Sequence, residues 1–170
     1  MMVRKILLLG QMEVGKTSIA RRLKFNAFDS SYKSTIGQDI YHYEVDPPPN
    51  DDGFAFLIVD TDGKFDNAIF RDRHVKGAQA AIVVGDLTRR ETLEAQVELV
   101  YKFSDAVPGR YIGCVFNKSD LVGEFPQDAG YIPEKLSNSS IPFLQTSAKT
   151  GFNVQQTFHD AAHAIVRRRM

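Results

Sequence analysis

The sequence predicts a single α/β domain with a mostly parallel six-stranded sheet, one antiparallel edge strand and helices on both faces. Its 170 residues correspond to one domain that can bury a core without disulfides. Short apolar runs alternate with helical patterns, and near-continuous apolar character is typical of parallel strands covered on both faces. A sixth segment instead alternates in polarity. The five apolar runs are residues 6–9, 54–59, 80–84, 111–116 and 141–144.

The alternating segment "DIYHYEVD" predicts the edge strand. It places Tyr41, Tyr43 and Val45 on one face and more polar neighbours on the other. The Pro- and Asp-rich stretch at residues 46–53 then turns the chain. A hairpin at this point makes the edge strand antiparallel to the next strand.

Helical patterns occupy the segments between strands. The first covers residues 16–25, and the second follows Thr88, where "TRRE" forms a capping box with Glu91. The last helix ends in three arginines, which oppose the partial negative charge of a helix carboxyl end. The apolar faces are Ile19, Ala20 and Leu23 in the first helix, Leu93, Val97, Val100 and Tyr101 in the second, and Val154, Phe158, Ala161, Ile165 and Val166 in the last.

Composition restricts the classes of partner. Lys and Arg total 21, as do Asp and Glu, so the neutral chain gives no support for binding nucleic acid through bulk charge. No apolar run reaches the roughly 18–20 residues of a membrane span, and the sequence shows no direct membrane anchor. Cys114 lies in an apolar run and is expected to be buried. We expect a cytoplasmic monomer.

A phosphate-binding loop follows the first apolar run. The stretch "GQMEVGKT", residues 10–17, matches the G-x-x-x-x-G-K-[ST] pattern between a strand and a helix. Such a loop binds phosphates through successive main-chain N–H groups at the positive end of a helix. Lys16 is expected to reach the β- and γ-phosphates, and the Thr17 hydroxyl to bind Mg²⁺. The sequence therefore predicts a nucleoside triphosphate site.

Two further stretches indicate which base is bound. "NKSD", residues 117–120, follows the apolar run at residues 111–116, and the Asp120 carboxylate can accept two hydrogen bonds from guanine. Adenine would leave this carboxylate unpaired, at a cost of several kcal/mol in order of magnitude. Taken alone, "NKSD" is more typical of a solvated turn than of a base-binding loop. "TSAK", residues 146–149, follows the last strand, where the Ala148 N–H can reach the guanine carbonyl oxygen.

Together these motifs resemble a small GTPase of the Ras superfamily, nearest its Rab branch, from residue 3 to about residue 168. The matching stretches are "GQMEVGKT", "STIG", "DTDG", "NKSD" and "TSAKTG", in family order, and "STIGQDI" and "VVGDLTRRET" favour the Rab branch. The resemblance implies one P-loop G domain over residues 1–170. It implies a phosphate loop at residues 10–17, switch I at about 28–38 and switch II at about 60–76.

The resemblance also implies GTP or GDP and Mg²⁺ as ligands. Phe28 would pack on guanine, Tyr32 would cover the phosphates, and Asn117 would join the loops. Thr17, Thr35 and Asp60 (through a water) would hold Mg²⁺, and Lys16, Thr35, Gly63 and the atypical Lys64 would be the catalytic positions. The implied nucleotide contacts are Gly10, Glu13, Val14, Gly15, Lys16, Thr17, Ser18, Phe28, Tyr32, Thr35, Gly63, Asn117, Lys118, Asp120, Ser147, Ala148 and Lys149.

Three positions depart from the family pattern. Met12 is large where the family favours a small residue, and Glu13 places a carboxylate in a phosphate loop, unless its side chain points to solvent. Lys64 replaces the glutamine that orients the attacking water, and a protonated lysine cannot accept a hydrogen bond from water. Lys64 is therefore either exposed, with slow hydrolysis, or directed at the γ-phosphate as a built-in positive charge. Asp62 is a further candidate to accept a hydrogen bond from that water.

Three functions fit these residues. The first is a GTP/GDP switch with slow hydrolysis, read by an effector and served by an exchange factor and an activating protein. The alternative is a binding module or scaffold locked in its GTP form. A small-molecule phosphotransferase would share the phosphate loop, but "NKSD" argues against it.

Overall fold

Six strands form one sheet in the computed structural model, which describes residues 2–31, 38–45, 54–62, 70, 75–124 and 131–168. The strand order is β2-β3-β1-β4-β5-β6. All neighbouring pairs are parallel except β2 with β3, which are antiparallel. The predicted sheet and its antiparallel edge strand are therefore confirmed. The strands are β1 (Met2–Leu9), β2 (Gln38–Val45), β3 (Phe54–Thr61), β4 (Ala78–Asp86), β5 (Tyr111–Asn117) and β6 (Phe143–Gln145).

Helices cover both faces of the sheet, as predicted. Apolar residues of α1 and α4 pack with one face in a single buried cluster, and those of α2 pack in a second cluster on the other face. Cys114 is buried in this second cluster. No helix in the described part of the chain is long and apolar enough to cross a lipid bilayer. The helices are α1 (Lys16–Phe25), α2 (Arg90–Ala106), α3 (Glu134–Ser137) and α4 (Val154–Arg167), with a 3₁₀ helix at Ser119–Glu124.

The last strand begins two residues later than the predicted start at residue 141. Pro142 has no N–H to donate to a sheet, and its carbonyl accepts the Cys114 N–H at 2.9 Å. Regular pairing with β5 then starts at Phe143, opposite Cys114. Proline therefore sets the start of β6.

The capping box predicted for α2 is wrong. The N-cap is Arg89, and no side chain caps it. Both the backbone N–H and the hydroxyl of Thr88 donate to Asp86 Oδ1, at 2.9 and 2.7 Å. With Arg89 as the N-cap, the helix begins one residue later than the predicted box requires, so Thr88 lies outside the capping position.

One residue of the predicted apolar face of α2 is exposed. Leu93, Val97 and Val100 are buried as expected, whereas Tyr101 is 55% exposed. At 3.6 residues per turn, Tyr101 lies about 80° around the helix from Leu93, at the edge of the apolar stripe. The buried stripe is therefore shifted away from Tyr101 and toward Leu99 and Phe103, which are also buried.

The five parallel strands direct their carboxyl ends to the same edge of the sheet. The loop after β1 reaches α1 at Lys16, β4 ends at Asp86 and β5 ends at Asn117. Ligands of open α/β sheets bind at this edge. The fold therefore brings together the motifs that the sequence analysis found far apart.

Candidate functional site

A cavity of about 560 Å³ opens at the carboxyl edge of the sheet. Its walls come from the loop after β1, the start of α1, the segment after α1, the end of β3, and the loops after β5 and β6. This size suits a nucleotide-sized ligand. The predicted nucleotide contacts among its lining residues are Glu13, Gly15, Lys16, Thr17, Ser18, Phe28, Asn117, Lys118, Asp120, Ala148 and Lys149.

Two glycines set the path of the phosphate loop. Gly15 has φ +98°, and a Cβ there would lie 2.3 Å from Asn117 Nδ2. Gly10 has φ +153°, and a Cβ there would lie 2.4 Å from the Val84 carbonyl oxygen. Neither position has room for another side chain, and positive φ disfavours one. The pattern's two glycines are therefore required by contact as well as by conformation.

The two unusual loop residues, Met12 and Glu13, are both exposed and both line the cavity. Glu13 adopts φ +64°, an uncommon conformation for a non-glycine residue that is typical of functional loops. Its side chain is exposed, in line with the expectation that it points to solvent. Met12 is 41% exposed and lines the cavity.

The buried amino group of Lys16 contacts the start of the phosphate loop. Its Nζ donates to the carbonyl oxygens of Gly10 and Gln11, both at 2.9 Å. Burial lowers the pKa of Lys16 to about 8, while the nearby Asp60 and Asp62 carboxylates oppose this decrease. The ammonium lines the cavity, where it can bind phosphate oxygens.

Thr17 and Asp60 form a candidate Mg²⁺ site beside Lys16. The Thr17 hydroxyl donates to Asp60 Oδ2, and Asp60 is wholly buried. Asp60 Oδ1 has no hydrogen-bond partner among the residues that the structure describes. Burial raises the pKa of Asp60 to about 6, although the Thr17 hydrogen bond and Lys16 act to lower it. A hydroxyl and a carboxylate are the hard oxygen ligands that Mg²⁺ prefers, so these residues fit the ion.

Asn117 connects the phosphate loop to the loop after β6. Its Nδ2 donates to the Val14 carbonyl oxygen at 2.9 Å. Its Oδ1 accepts the Ala148 N–H at 3.1 Å and the Thr146 hydroxyl at 3.3 Å. The side chain is buried. The Ala148 N–H, predicted to reach guanine, therefore already donates to Asn117 in this structure.

Asp120 follows β5, which lies two strands away in the sheet from β1, the strand that leads to Lys16. The Ser147 hydroxyl donates to Asp120 Oδ1 at 2.6 Å and accepts the Thr150 N–H at 3.1 Å. Asp120 remains exposed and lines the cavity, as does Phe28, which is 40% exposed. The arrangement presents an oriented carboxylate and an aromatic ring to a planar, hydrogen-bonding ligand.

The sequence analysis missed Arg22, which supports the loop after β6. Its Nε donates to the Ala148 carbonyl oxygen at 2.8 Å, and its Nη2 donates to the Lys149 carbonyl oxygen. Its Nη1 binds the Asn26 carbonyl and side-chain oxygens at 3.0 and 3.1 Å. Its loop partners are main-chain atoms more than 120 positions away, so no sequence motif indicates them.

Asp86 was also missed. Lys118, with φ +65°, makes an ion pair with Asp86 Oδ2 at 2.6 Å, and Arg89 Nε contacts the same oxygen at 3.2 Å. The sequence could have indicated Asp86, because a carboxylate at the end of a central parallel strand lies at the edge of the sheet where ligands bind.

Several predicted residues have other placements. Gly10, Val14, Asp60 and Ser147 lie behind the cavity wall and support residues that line it. Asp62 lines the cavity. The predicted positions Tyr32, Thr35, Gly63 and Lys64 lie outside the described residues, so their roles stay predictions.

The sequence matches a known protein family over the residues that form the site. The family model of the Ras family matches residues 5–167, which include the phosphate loop and the loops at residues 117–120 and 146–149. The assignment to the Rab branch stays a prediction. With this match over nearly the whole chain, the protein belongs to the Ras family and is a small GTP-binding switch protein.

Proposed function

We propose that this protein alternates between GTP- and GDP-bound forms in the cytoplasm and hydrolyses GTP slowly with Mg²⁺. The main support is the continuity of the cavity. One space of about 560 Å³ is lined by Lys16 and Thr17, which follow β1, and by Asp120 and Ala148, which follow β5 and β6, two and three strands away. A guanine nucleotide has phosphates at one end and a hydrogen-bonding base at the other.

The phosphate loop would bind the charged end of the nucleotide. Main-chain N–H groups at the start of α1 and the Lys16 ammonium supply positive charge to phosphate oxygens. Thr17 and Asp60 would hold Mg²⁺, joined by Thr35 according to the family resemblance. The ion would neutralise charge on the β- and γ-phosphates.

Base selection would depend on Asp120. Its carboxylate can accept hydrogen bonds from the ring N–H and the exocyclic amine of guanine. The Ser147 hydroxyl fixes this carboxylate, so that little ordering is required when the base binds. Phe28 and Lys118 also line the cavity, and they would contact the faces of the base.

Slow hydrolysis follows from Lys64 and Met12. A protonated Lys64 cannot accept a hydrogen bond from the attacking water. Met12 lines the cavity and would narrow the access of an activating protein's arginine. The other hypothesis for Lys64 is that its charge stabilises the transition state directly.

Single-turnover hydrolysis of GTP distinguishes the two hypotheses for Lys64. We expect the wild-type rate to be no higher than about 10⁻⁴ s⁻¹, the intrinsic order of magnitude for Ras-type proteins. Lys64→Gln restores a water-orienting amide and should raise this rate several-fold, whereas Lys135→Gln, at an exposed lysine of α3, should not. A faster wild-type rate that falls in Lys64→Gln would instead assign catalysis to Lys64.

The alternative function, a binding module locked in its GTP form, is favoured by the same two residues. Analysis of the nucleotide in freshly purified protein separates it from the switch. GDP or a mixture supports turnover, and nearly pure GTP supports the locked module.

Its partners would be an effector that reads residues 28–38 and 60–76, an exchange factor and an activating protein. Segments ordered by the γ-phosphate are the usual switch in this class of protein. Pull-down with protein loaded with GDP or with a non-hydrolysable GTP analogue tests this proposal. An effector should bind only the GTP-like form, and equal recovery with both forms would contradict a switch.

A further inference from the structure

The buried carboxylate of Asp86 joins two cations at the end of β4. Its Oδ2 contacts Lys118 Nζ at 2.6 Å and Arg89 Nε at 3.2 Å, and its Oδ1 accepts both donors of Thr88. Burial acts to raise the pKa of Asp86, but the hydrogen bonds from Lys118 and Thr88 keep it below its ordinary value. Asp86 is therefore an ionised and well-satisfied anchor.

Arg89 extends from this anchor to the phosphate loop. While Nε contacts Asp86, Nη2 donates to the Met12 carbonyl oxygen at 2.7 Å. Arg89 is not among the described residues that line the cavity, whereas Met12 is. Arg89 therefore contacts the loop that borders the cavity rather than the cavity itself.

The contact falls where the loop most needs support. Met12 directly precedes Glu13, whose φ of +64° is unfavourable for a non-glycine residue. Surrounding contacts must maintain such a conformation. A rigid guanidinium bound at two of its nitrogens fixes the Met12 carbonyl and so the orientation of the following peptide.

We propose that Arg89 is a positioning residue that holds the phosphate loop in its nucleotide-binding conformation and thereby slows nucleotide release. The inference rests on the proposed binding of guanine nucleotide at this site. Asp86 anchors two loops: it holds the phosphate loop through Arg89, and it holds the loop of residues 117–120, here called the base loop, through Lys118. The single negative charge of Asp86 is paired with two positive charges, those of Arg89 and Lys118, so the cluster beside the phosphate loop has a net positive charge.

Release of a fluorescent, ribose-labelled GDP after a chase with excess GDP tests this role. Arg89→Ala should release the nucleotide about tenfold faster than wild type, because a charge-assisted hydrogen bond to the loop is lost. Arg89→Lys should be intermediate, since it keeps the charge but not the two-nitrogen geometry. The matched control is Arg90→Ala, which removes the adjacent arginine, 3.9 Å over the Tyr131 ring. It should stay within twofold of wild type.

A second ligand separates the phosphate end from the base end. Inosine diphosphate lacks the exocyclic amine of guanine, so the ratio of IDP to GDP release rates reports on base recognition. Arg89→Ala should accelerate both rates by the same factor. A changed ratio would show that Arg89 acts through the base loop and would overturn the proposal.

The outcomes distinguish this inference from the proposed function. If wild type retains GDP and Arg89→Ala releases it as slowly as Arg90→Ala does, only the role of Arg89 is overturned. If wild type does not retain GDP, guanine nucleotide binding fails and the role of Arg89 fails with it. Should Arg89→Ala not fold, Arg89→Met keeps most of the side-chain length without any N–H donor, and the same acceleration is expected of it.

Discussion

The two ends of the cavity are built on different principles. The phosphate end, residues 10–17, depends on main-chain atoms and on the absence of side chains at Gly10 and Gly15. The base end, residues 117–120 and 146–149, depends on side-chain groups that hold the loops, chiefly those of Asn117 and Ser147. One added carbon should therefore disrupt the phosphate end, whereas one removed polar group should disrupt the base end.

The largest expected effect is from adding a methyl group at Gly15. In Gly15→Ala the new Cβ meets Asn117 Nδ2 at 2.3 Å, in a backbone conformation that alanine disfavours. We expect the Kd for GDP, measured by calorimetry, to rise by at least about 1000-fold.

Gly109→Ala is the control for conformation alone. Gly109 has φ +78°, but a Cβ there would meet nothing within 4 Å. It should lower the free energy of unfolding by about 1–2 kcal/mol and leave the Kd for GDP unchanged. Wild-type affinity in Gly15→Ala would contradict the account of the phosphate end.

Replacing the base-binding carboxylate should have the next largest effect. Asp120→Asn exchanges an acceptor for an amide that repels the donors of guanine, and GDP affinity should fall by roughly 1000-fold or somewhat less. Xanthosine diphosphate, which presents a carbonyl in place of the amine, should bind this variant better than GDP does. Competition against a labelled nucleotide measures both affinities, with Asp105→Asn at an exposed helical position as the control. If Asp120→Asn still preferred GDP, Asp120 would not read the base.

Removing the amide that joins the two ends should have a smaller effect. Asn117→Ala loses three hydrogen bonds in a buried place, and we expect GDP release to accelerate about 100-fold, or roughly 3 kcal/mol. Stopped-flow fluorescence measures the rate. Asn138→Ala, on the exposed end of α3, should match wild type. An equally small effect of both variants would show that the two ends act independently.

Arg22 should have the smallest effect of the four. Arg22→Ala removes contacts to the Ala148 and Lys149 carbonyl oxygens, but Asn117 still holds that loop from the other side. We expect about fivefold faster GDP release in the same assay. Lys24→Ala removes an exposed charge of the same helical turn and should leave the rate unchanged. An effect of Arg22→Ala as large as that of Asn117→Ala would mean that Arg22 is the main support of the base end.

The two ends also differ in how much the sequence could predict. The phosphate loop was predictable because its pattern is local and the glycines are fixed by backbone conformation. The placement of Asp120 followed from its position after a buried strand. In both cases the informative residues lie next to each other in the chain.

Residues that support the site could not be predicted in the same way. Arg22 and Arg89 bind main-chain carbonyl oxygens of distant loops, and any residue type can supply such an oxygen. The capping box predicted at Thr88 failed for another reason, because the helix begins one residue later and Arg89 is its N-cap. Pro142 set the start of β6 by a local rule that the sequence analysis did not apply.

Asn117 binds a main-chain atom of the phosphate loop, and this affects how freely the loop sequence can change during evolution. The phosphate-loop atom that it contacts is the Val14 carbonyl oxygen, and Arg89 contacts the Met12 carbonyl oxygen. Every amino acid carries this oxygen, so the anchoring is indifferent to which side chains the loop displays. The residue types at the exposed positions Met12 and Glu13 can therefore change during evolution while the loop still binds the nucleotide. Such changes would alter access to the γ-phosphate.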